Sequence, residues 1–116
     1  MSRTLTHTDP RNVTLQAALD ALSDPVRRTI VVTLACEPHF SRACGAFDLP
    51  VSKATASHHF AVLREAGVIE QADVGSRRLN RLRWDEFDEA FPGLLALVLR
   101  DSGVESAALA PPPDVP

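Results

Sequence analysis

A mainly α fold carrying one small β-hairpin is what this sequence predicts, and three observations predict it. Ser52 to Gly67 reads Ser-Lys-Ala-Thr-Ala-Ser-His-His-Phe-Ala-Val-Leu-Arg-Glu-Ala-Gly. Ser52 is a good N-cap, Gly67 suits a left-handed close, and the span holds about four turns of helix. Next, Val68 to Asp73 and Arg78 to Arg83 are two short runs on either side of Val74-Gly75-Ser76-Arg77, the pattern of a hairpin. Finally, the stretches before residue 50 and after residue 84 repeat apolar residues at helical spacing. A helix followed at once by an arginine-bearing hairpin is the plan of a winged helix-turn-helix. The expected architecture has about five helices and a two-stranded wing, with the helix placed in a major groove and the wing along the backbone or minor groove.

Taken in order, residues 1 to 12 are polar and contain Asp9-Pro10, which predicts a flexible N-terminal arm. From Val13, the stripe Leu15, Ala18, Leu19 and Leu22 marks a first amphipathic helix. Ser23-Asp24-Pro25 breaks it: Asp24 can cap and Pro25 can take the first position of a second helix running to about Cys36, with Ile30, Val31, Leu34 and Ala35 inward. Glu37-Pro38 ends that helix. Phe40 to Leu49 reads as a short third helix, with Phe40, Ala43, Cys44 and Phe47 spaced to meet a core and Pro50 as the stop. In the helix opened by Ser52, the residues Ala56, Phe60 and Leu63 share an inner stripe flanked by His59 and Ala66, while Ala54, Ser57, His58, Ala61 and Glu65 look away.

After the hairpin, the acids of Asp85-Glu86-Phe87-Asp88-Glu89 favour a helix start, and Pro92-Gly93 must interrupt that helix. Leu94 to Leu99 is apolar nearly all round, which suits a helix shared between two subunits. A homodimer is therefore expected, with Leu15, Leu19, Leu94, Leu95, Leu97 and Val98 at its seam. The folded domain is assigned to residues 13–101. Residues 102–116, ending in Ala-Pro-Pro-Pro-Asp-Val-Pro, read as a disordered Pro-rich tail.

At 116 residues the chain holds one domain with tails, and its net charge of −3 at first opposes a nucleic-acid partner. The distribution reverses that impression: residues 1–51 are neutral, 52–83 carry +3 and 84–116 carry −6. Positive charge is thus concentrated in the helix and hairpin, and the acidic part is compatible with DNA if it faces away from the phosphates. No apolar run approaches the ~20 residues that span a bilayer, and the first residues hold no apolar signal region, so a cytoplasmic protein without a membrane partner is expected. In that compartment Cys36 and Cys44 are expected to be reduced thiols. The chain has no tyrosine, no glycine-rich phosphate loop, and no Cys-x-x-Cys or His-Glu-x-x-His spacing, which argues against an enzyme.

The expected DNA-contacting residues are Ser52, Lys53, Thr55, Ser57, His58 and Arg64 on the helix and Arg77 and Arg78 at the hairpin tip. These can donate to phosphates or base edges, and small residues between them let the helix backbone come close. The bland reading of the same residues is a solvated helix face and a solvated turn, with Arg81 and Arg83 covering the sheet. His59, bordering the core stripe, is expected to be a buried, hydrogen-bonded structural histidine.

Three motifs in order, Leu22-Ser23-Asp24-Pro25-Val26-Arg27-Arg28, Ser57-His58-His59-Phe60-Ala61-Val62-Leu63-Arg64-Glu65-Ala66-Gly67-Val68-Ile69 and Gly75-Ser76-Arg77-Arg78, resemble the ArsR/SmtB family of bacterial transcriptional regulators. The likeness spans roughly residues 13–100, and Arg77 to Leu95 looks most like an actinobacterial branch. The resemblance implies a winged-helix homodimer that binds an imperfect palindrome in double-stranded DNA at its own or a neighbouring promoter. Such regulators are usually repressors, released by a metal ion, a metalloid or a redox signal. The competing reading is a winged-helix interaction module or partner-dependent activator, with a protein partner and weak DNA binding of its own.

The family's sensing motifs do not carry over. Where the thiolate motif reads Cys-Val-Cys-Asp-Leu, this chain places Ser41, Arg42, Ala43 and Cys44 at the first four positions. Where the last helix carries Asp-x-His and two later ligands, Asp85 is present but Phe87 takes the histidine place and Val98 and Asp101 the later ones. A non-standard nickel or zinc site would have to draw on His7, His39, Asp85, Asp101 or Glu105, and a thiol switch on Cys36 and Cys44. His58 and His59 diverge by about 100° on a helix and do not easily clamp one ion.

Overall fold

The first three helices begin where a side chain can accept the first free amides. In the computed structural model, which describes residue 5 and residues 7–103, α1 (Leu15–Ala21) is capped by Thr14, whose Oγ1 accepts from the Ala17 amide at 3.1 Å. Helix α2 (Pro25–Ala35) starts on Asp24, whose carboxylate accepts from the amides of Val26 at 2.7 Å and Arg27 at 3.3 Å. Helix α3 (Lys53–Glu65) starts on Ser52, whose Oγ accepts from the Thr55 amide at 3.2 Å. Behind the hairpin come α4 (Trp84–Ala90) and α5 (Leu94–Asp101), and the break expected at Pro92-Gly93 separates them. Gly93 takes φ +86° there, a conformation glycine adopts at little cost. Most of the expected Pro-rich tail, with Glu105, lies outside the described residues.

The hairpin forms one residue from the expected bounds, as β2 (Ile69–Val74) and β3 (Arg77–Leu82). The segment 40–49 is not the expected third helix. It holds a strand, β1 (Ser41–Ala43), between 3-10 turns at Pro38–Phe40 and Cys44–Ala46, and β1 pairs antiparallel with β3, giving the order β1-β3-β2. The wing is therefore built on three strands rather than two. The physical reason is a competition: a ten-residue helix containing Gly45 and stopped by Pro50 is marginal, whereas the open side of β3 offers backbone groups that β1 can satisfy. The chain reaches β1 through His39 and Phe40, both left-handed at φ +58° and +56°. For residues other than glycine that conformation costs on the order of 1–2 kcal/mol each. Burial of Phe40 beside Trp84, with ring centroids 6.2 Å apart, offsets part of it.

One core joins the five helices and the two hairpin strands. Ile30 and Leu34 of α2, Phe60 and Leu63 of α3, Ile69 and Leu82 of the sheet, Phe87 of α4 and Leu95 of α5 are all buried in it. This corrects the expected dimer seam at two positions: Leu95 and Val98 face their own core, with 0% and 7% exposure. Leu15, Leu19 and Leu97 remain exposed at 59%, 44% and 59%, and Leu94 is half-buried. A helix that is apolar nearly all round can serve an inner face with one stripe and still present a second.

The residues expected to form a free arm are instead seated on the domain from His7 onward. Pro10 is buried against Gly67, where an added Cβ would meet Pro10 Cγ at 3.0 Å. The Gln71 amide on strand β2, at the sheet edge, donates to His7 Nε2 at 2.9 Å, and Arg83 donates to the Thr8 carbonyl at 3.0 Å. An edge amide without a strand partner thus finds an acceptor in the arm. Among the described residues no helix is long and apolar enough to cross a membrane.

Candidate nucleic-acid interface

Helix α3 is fixed to the domain by one face, which decides what the other presents. Phe60, Leu63 and His59 are buried, and Phe60 meets Phe47 edge-on at 5.2 Å between centroids. Arg27 of α2 donates from Nη1 to His59 Nδ1 at 3.0 Å, from Nε to the Ala21 carbonyl at 2.6 Å and from Nη2 to the Asp20 carbonyl at 3.1 Å. A guanidinium has no acceptor, so His59 accepts through Nδ1. The buried structural histidine expected from the sequence is thereby found, and one arginine ties the end of α1 to α3. Lys53, Thr55, Ser57 and His58 all lie exposed on the remaining face. Ser52 stands apart from them: its hydroxyl accepts the Thr55 amide and donates to Thr55 Oγ1 at 3.1 Å, so it is occupied as a cap.

The wing's inner face follows the period of two along each strand. Cross-strand partners on that face run from base to tip as Ile69 with Leu82, Gln71 with Asn80 and Asp73 with Arg78, passing from apolar to amide to ionic. Arg78 grips Asp73 through Nε at 2.8 Å and Nη2 at 3.3 Å. On the outer face Arg81 pairs with Glu70 at 2.5 Å and Glu86 at 3.3 Å, and Arg83 reaches Glu86 at 3.3 Å. Arg81 therefore ties the sheet to α4, while Arg83, the residue before α4, pairs within the start of that helix and with the Thr8 carbonyl. Arg77 lies exposed at the tip.

Between α3 and the wing lies an open cleft of about 360 Å³, lined among others by Lys53, Ser57, Gln71, Arg78 and Cys44. Donors from the helix and from the wing thus converge on one groove, although they are about twenty residues apart in sequence. Arg64 does not join them. It sits near the other end of α3, half-buried, and donates to Gln71 Oε1 at 2.5 Å, which places it at the helix-wing junction rather than on the reading face. Sequence reading missed Gln71 and Asn80 altogether; their signal was their place at every second position between Ile69 and Asp73 and between Arg78 and Leu82.

Among the described residues the candidate ligands do not fit a transition metal, which prefers imidazole or thiolate donors gathered at one point. Among the described residues no three His, Cys, Asp or Glu side chains are grouped to hold a metal ion. His7 is bonded to the Leu5 carbonyl and the Gln71 amide, His39 is exposed at its left-handed turn, and Asp85 and Asp101 are exposed on different helices. Cys36 is exposed at the end of α2, and Cys44 is half-buried, its sulfur accepting from Asn80 Nδ2 at 3.0 Å. Both are free thiols.

Two carboxylates near this machinery hold lowered pKa values. At Asp24 burial works in the opposite direction, but the Arg27 and Val26 amides and the neighbouring His59 and Arg27 outweigh it. At Glu86 burial again opposes, and its own amide together with Arg83 and Arg81 prevails.

Residues 24–71, from the cap of α2 into β2, match the family described as bacterial regulatory protein, arsR family. Among solved structures, the chain is similar to an ArsR-like transcriptional regulator from Rhodococcus sp. RHA1 at 26% sequence identity, over 77% of this chain and 78% of that one, with a TM-score of 0.56. Comparison with curated proteins gives no match.

Proposed function

We propose that the chain is an ArsR-family DNA-binding transcriptional regulator that acts as a homodimeric repressor of its own or a neighbouring operon, relieved by a small effector; the match of residues 24–71 to the arsR family and the similarity to an ArsR-like regulator support the DNA-binding part of this reading. The observation that carries the DNA-contact assignment is the shared cleft: Lys53 and Ser57 of α3 face Arg78 of the wing across one groove, with Thr55 and His58 exposed on the same helix. In this reading α3 enters the major groove by its N-terminal half, where small side chains allow close approach, and Arg77 follows the backbone or the minor groove. Arg78 is preset by Asp73, so its guanidinium is held toward the groove and loses little freedom on binding.

The dimer in this reading uses the exposed leucines of α1 and α5. Leu15, Phe91, Leu94 and Leu97 line an apolar groove of about 610 Å³, and a second copy related by a two-fold axis would cover it. Two copies of α3 would then meet successive major grooves about 34 Å apart, which calls for an imperfect palindrome.

The test is a gel shift and footprint on the DNA upstream of the protein's own coding sequence. Lys53→Ala and Ser57→Ala are each expected to cost about 1–3 kcal/mol of specific binding if they read bases, whereas Arg77→Ala should weaken all sequences alike and reduce the salt slope by about 1. If all three variants retain wild-type specific binding, this reading surface is wrong.

A further inference from the structure

We propose that Gln71 and Asn80 are positioning residues for DNA recognition: the buried amide pair they form, extended by Arg64, fixes the wing against α3 and so sets the preference for specific over non-specific DNA. The proposal rests on the DNA-reading surface inferred above, and it concerns residues that do not themselves belong to that surface. Asn80 is fully buried and Gln71 has 5% exposure.

The middle layer of the wing's inner face is unlike the one below it. Ile69 and Leu82 at the base are fully buried and apolar, as a packing layer should be. One step outward two amides are buried instead, and burial of amides is unfavourable unless their hydrogen bonds are made. Here they are made in sequence. Arg64 of α3 donates to Gln71 Oε1 at 2.5 Å; Gln71 Nε2 donates to Asn80 Oδ1 at 2.7 Å; Asn80 Nδ2 donates to Cys44 Sγ at 3.0 Å and to the Arg42 carbonyl at 3.3 Å. Among the described residues no buried side-chain nitrogen or oxygen lacks a partner. One row of directional bonds therefore crosses α3, β2, β3 and the end of β1.

Apolar layers tolerate sliding, because dispersion contacts have no preferred direction, whereas a row of amide bonds has one register in which every donor is used. That register matters because of what stands next to it. One step further out on the same strand face is the Asp73 and Arg78 pair, and Arg78 shares the cleft with Lys53 and Ser57. Any slip of the amide layer changes the distance between Arg78 and the helix donors, which is the spacing a duplex must match. Loss of the row should blur the match to bases while leaving the phosphate charges where non-specific binding can use them.

The test uses the full chain and two duplexes, one carrying the DNA upstream of its own coding sequence and one of the same composition with scrambled order. Affinities are read by fluorescence anisotropy over a salt series, with thermal unfolding measured in parallel. The double variant Gln71→Leu with Asn80→Leu replaces both amides with apolar side chains and buries no unpaired amide. It is expected to remain folded and to lower the ratio of upstream to scrambled affinity at least about tenfold, with scrambled affinity and salt slope unchanged. A merely structural role would move the unfolding temperature and leave the ratio alone. Should the double variant fail to fold, Arg64→Met is the second variant, since it removes the donor at the outer end of the row and leaves both amides in place; the ratio, rather than the affinity, discounts its lost charge. A ratio within twofold of wild type in a folded variant overturns the proposal. If the wild-type chain itself shows no preference for the upstream duplex, the reading surface inferred earlier falls instead.

Discussion

Gly67 shows how one residue can be held by two independent constraints. It closes α3 at φ +76°, a region that L side chains enter at a cost on the order of 1–2 kcal/mol, and it leaves no room for a Cβ because Pro10 lies 3.0 to 3.2 Å from where that atom would be. Gly67→Ala is therefore expected to destabilise the domain by roughly 2 kcal/mol or more in chemical denaturation. Of the three close contacts only that to Pro10 Cγ belongs to the side chain, so Pro10→Ala should relieve that part alone, and a double-mutant cycle should show a small positive coupling between the two sites. Additive effects would mean that the Pro10 ring does not limit position 67, leaving its left-handed conformation and the Pro10 backbone as the constraint. The same logic of a residue held by named partners applies to Asp24 and Glu86. Their native pKa values lie below the ordinary 3.8 and 4.5, so the unfolded chain binds more protons than the native one through that range. The stability they contribute is present above pH 4.5 and is lost as the pH falls through the lowered native values. Melting curves from pH 7 to pH 3 should show it, and Glu86→Gln should lie below wild type at neutral pH and converge on it in acid.

Among the elements, the sequence was most legible where local signals agreed with the fold. The Ser52 cap, the spacing of Phe60 and Leu63 and the Gly67 close all name α3, and the Gly75-Ser76 turn names the hairpin. Phe40 to Leu49 was illegible for a physical reason: its apolar spacing fits a helix, but the outcome was decided by β3, which lies more than thirty residues away and offers an edge to pair with. The orientations of Arg64, half-buried against Gln71, and of Leu95, buried in its own core, were illegible for the same reason. Each was placed on the correct helix, and only the packing of neighbouring elements could say which way it faced. The strand assignment makes a prediction opposite in sign to that of a helix. His39 is exposed and left-handed, so His39→Gly relieves about 1–2 kcal/mol of local strain against an unfolded-state cost of about 0.4–1 kcal/mol. The expected result is a gain of about 0.5 kcal/mol. In a continuous helix glycine would cost about 1 kcal/mol relative to alanine, so a loss of stability on denaturant titration would refute the turn.

For the molecule as a whole, the proposed function requires a small acidic chain to bind DNA tightly, and the two-fold dimer proposed above would supply the contacts. A single copy offers Lys53, Arg77 and Arg78 near its reading cleft, while Arg81 and Arg83 are committed to Glu70 and Glu86. Few phosphate contacts give weak, salt-sensitive binding. Two copies rigidly joined double those contacts and turn the second half-site into an intramolecular event, a gain of about 10²–10⁴ without any new chemistry. The proposed seam of Leu15, Leu19, Leu94 and Leu97 is therefore as much a part of DNA affinity as α3 is. Leu97 is the residue at which to separate the two, because it is 59% exposed and contributes little to its own core. Leu97→Asp should change monomer stability by no more than about 0.5 kcal/mol, yet sediment as a monomer at micromolar concentration. Its affinity for the upstream duplex should fall at least about a hundredfold, with half-site binding retained. A variant that becomes monomeric and still binds the full site as tightly as wild type would show that one copy reads the operator alone.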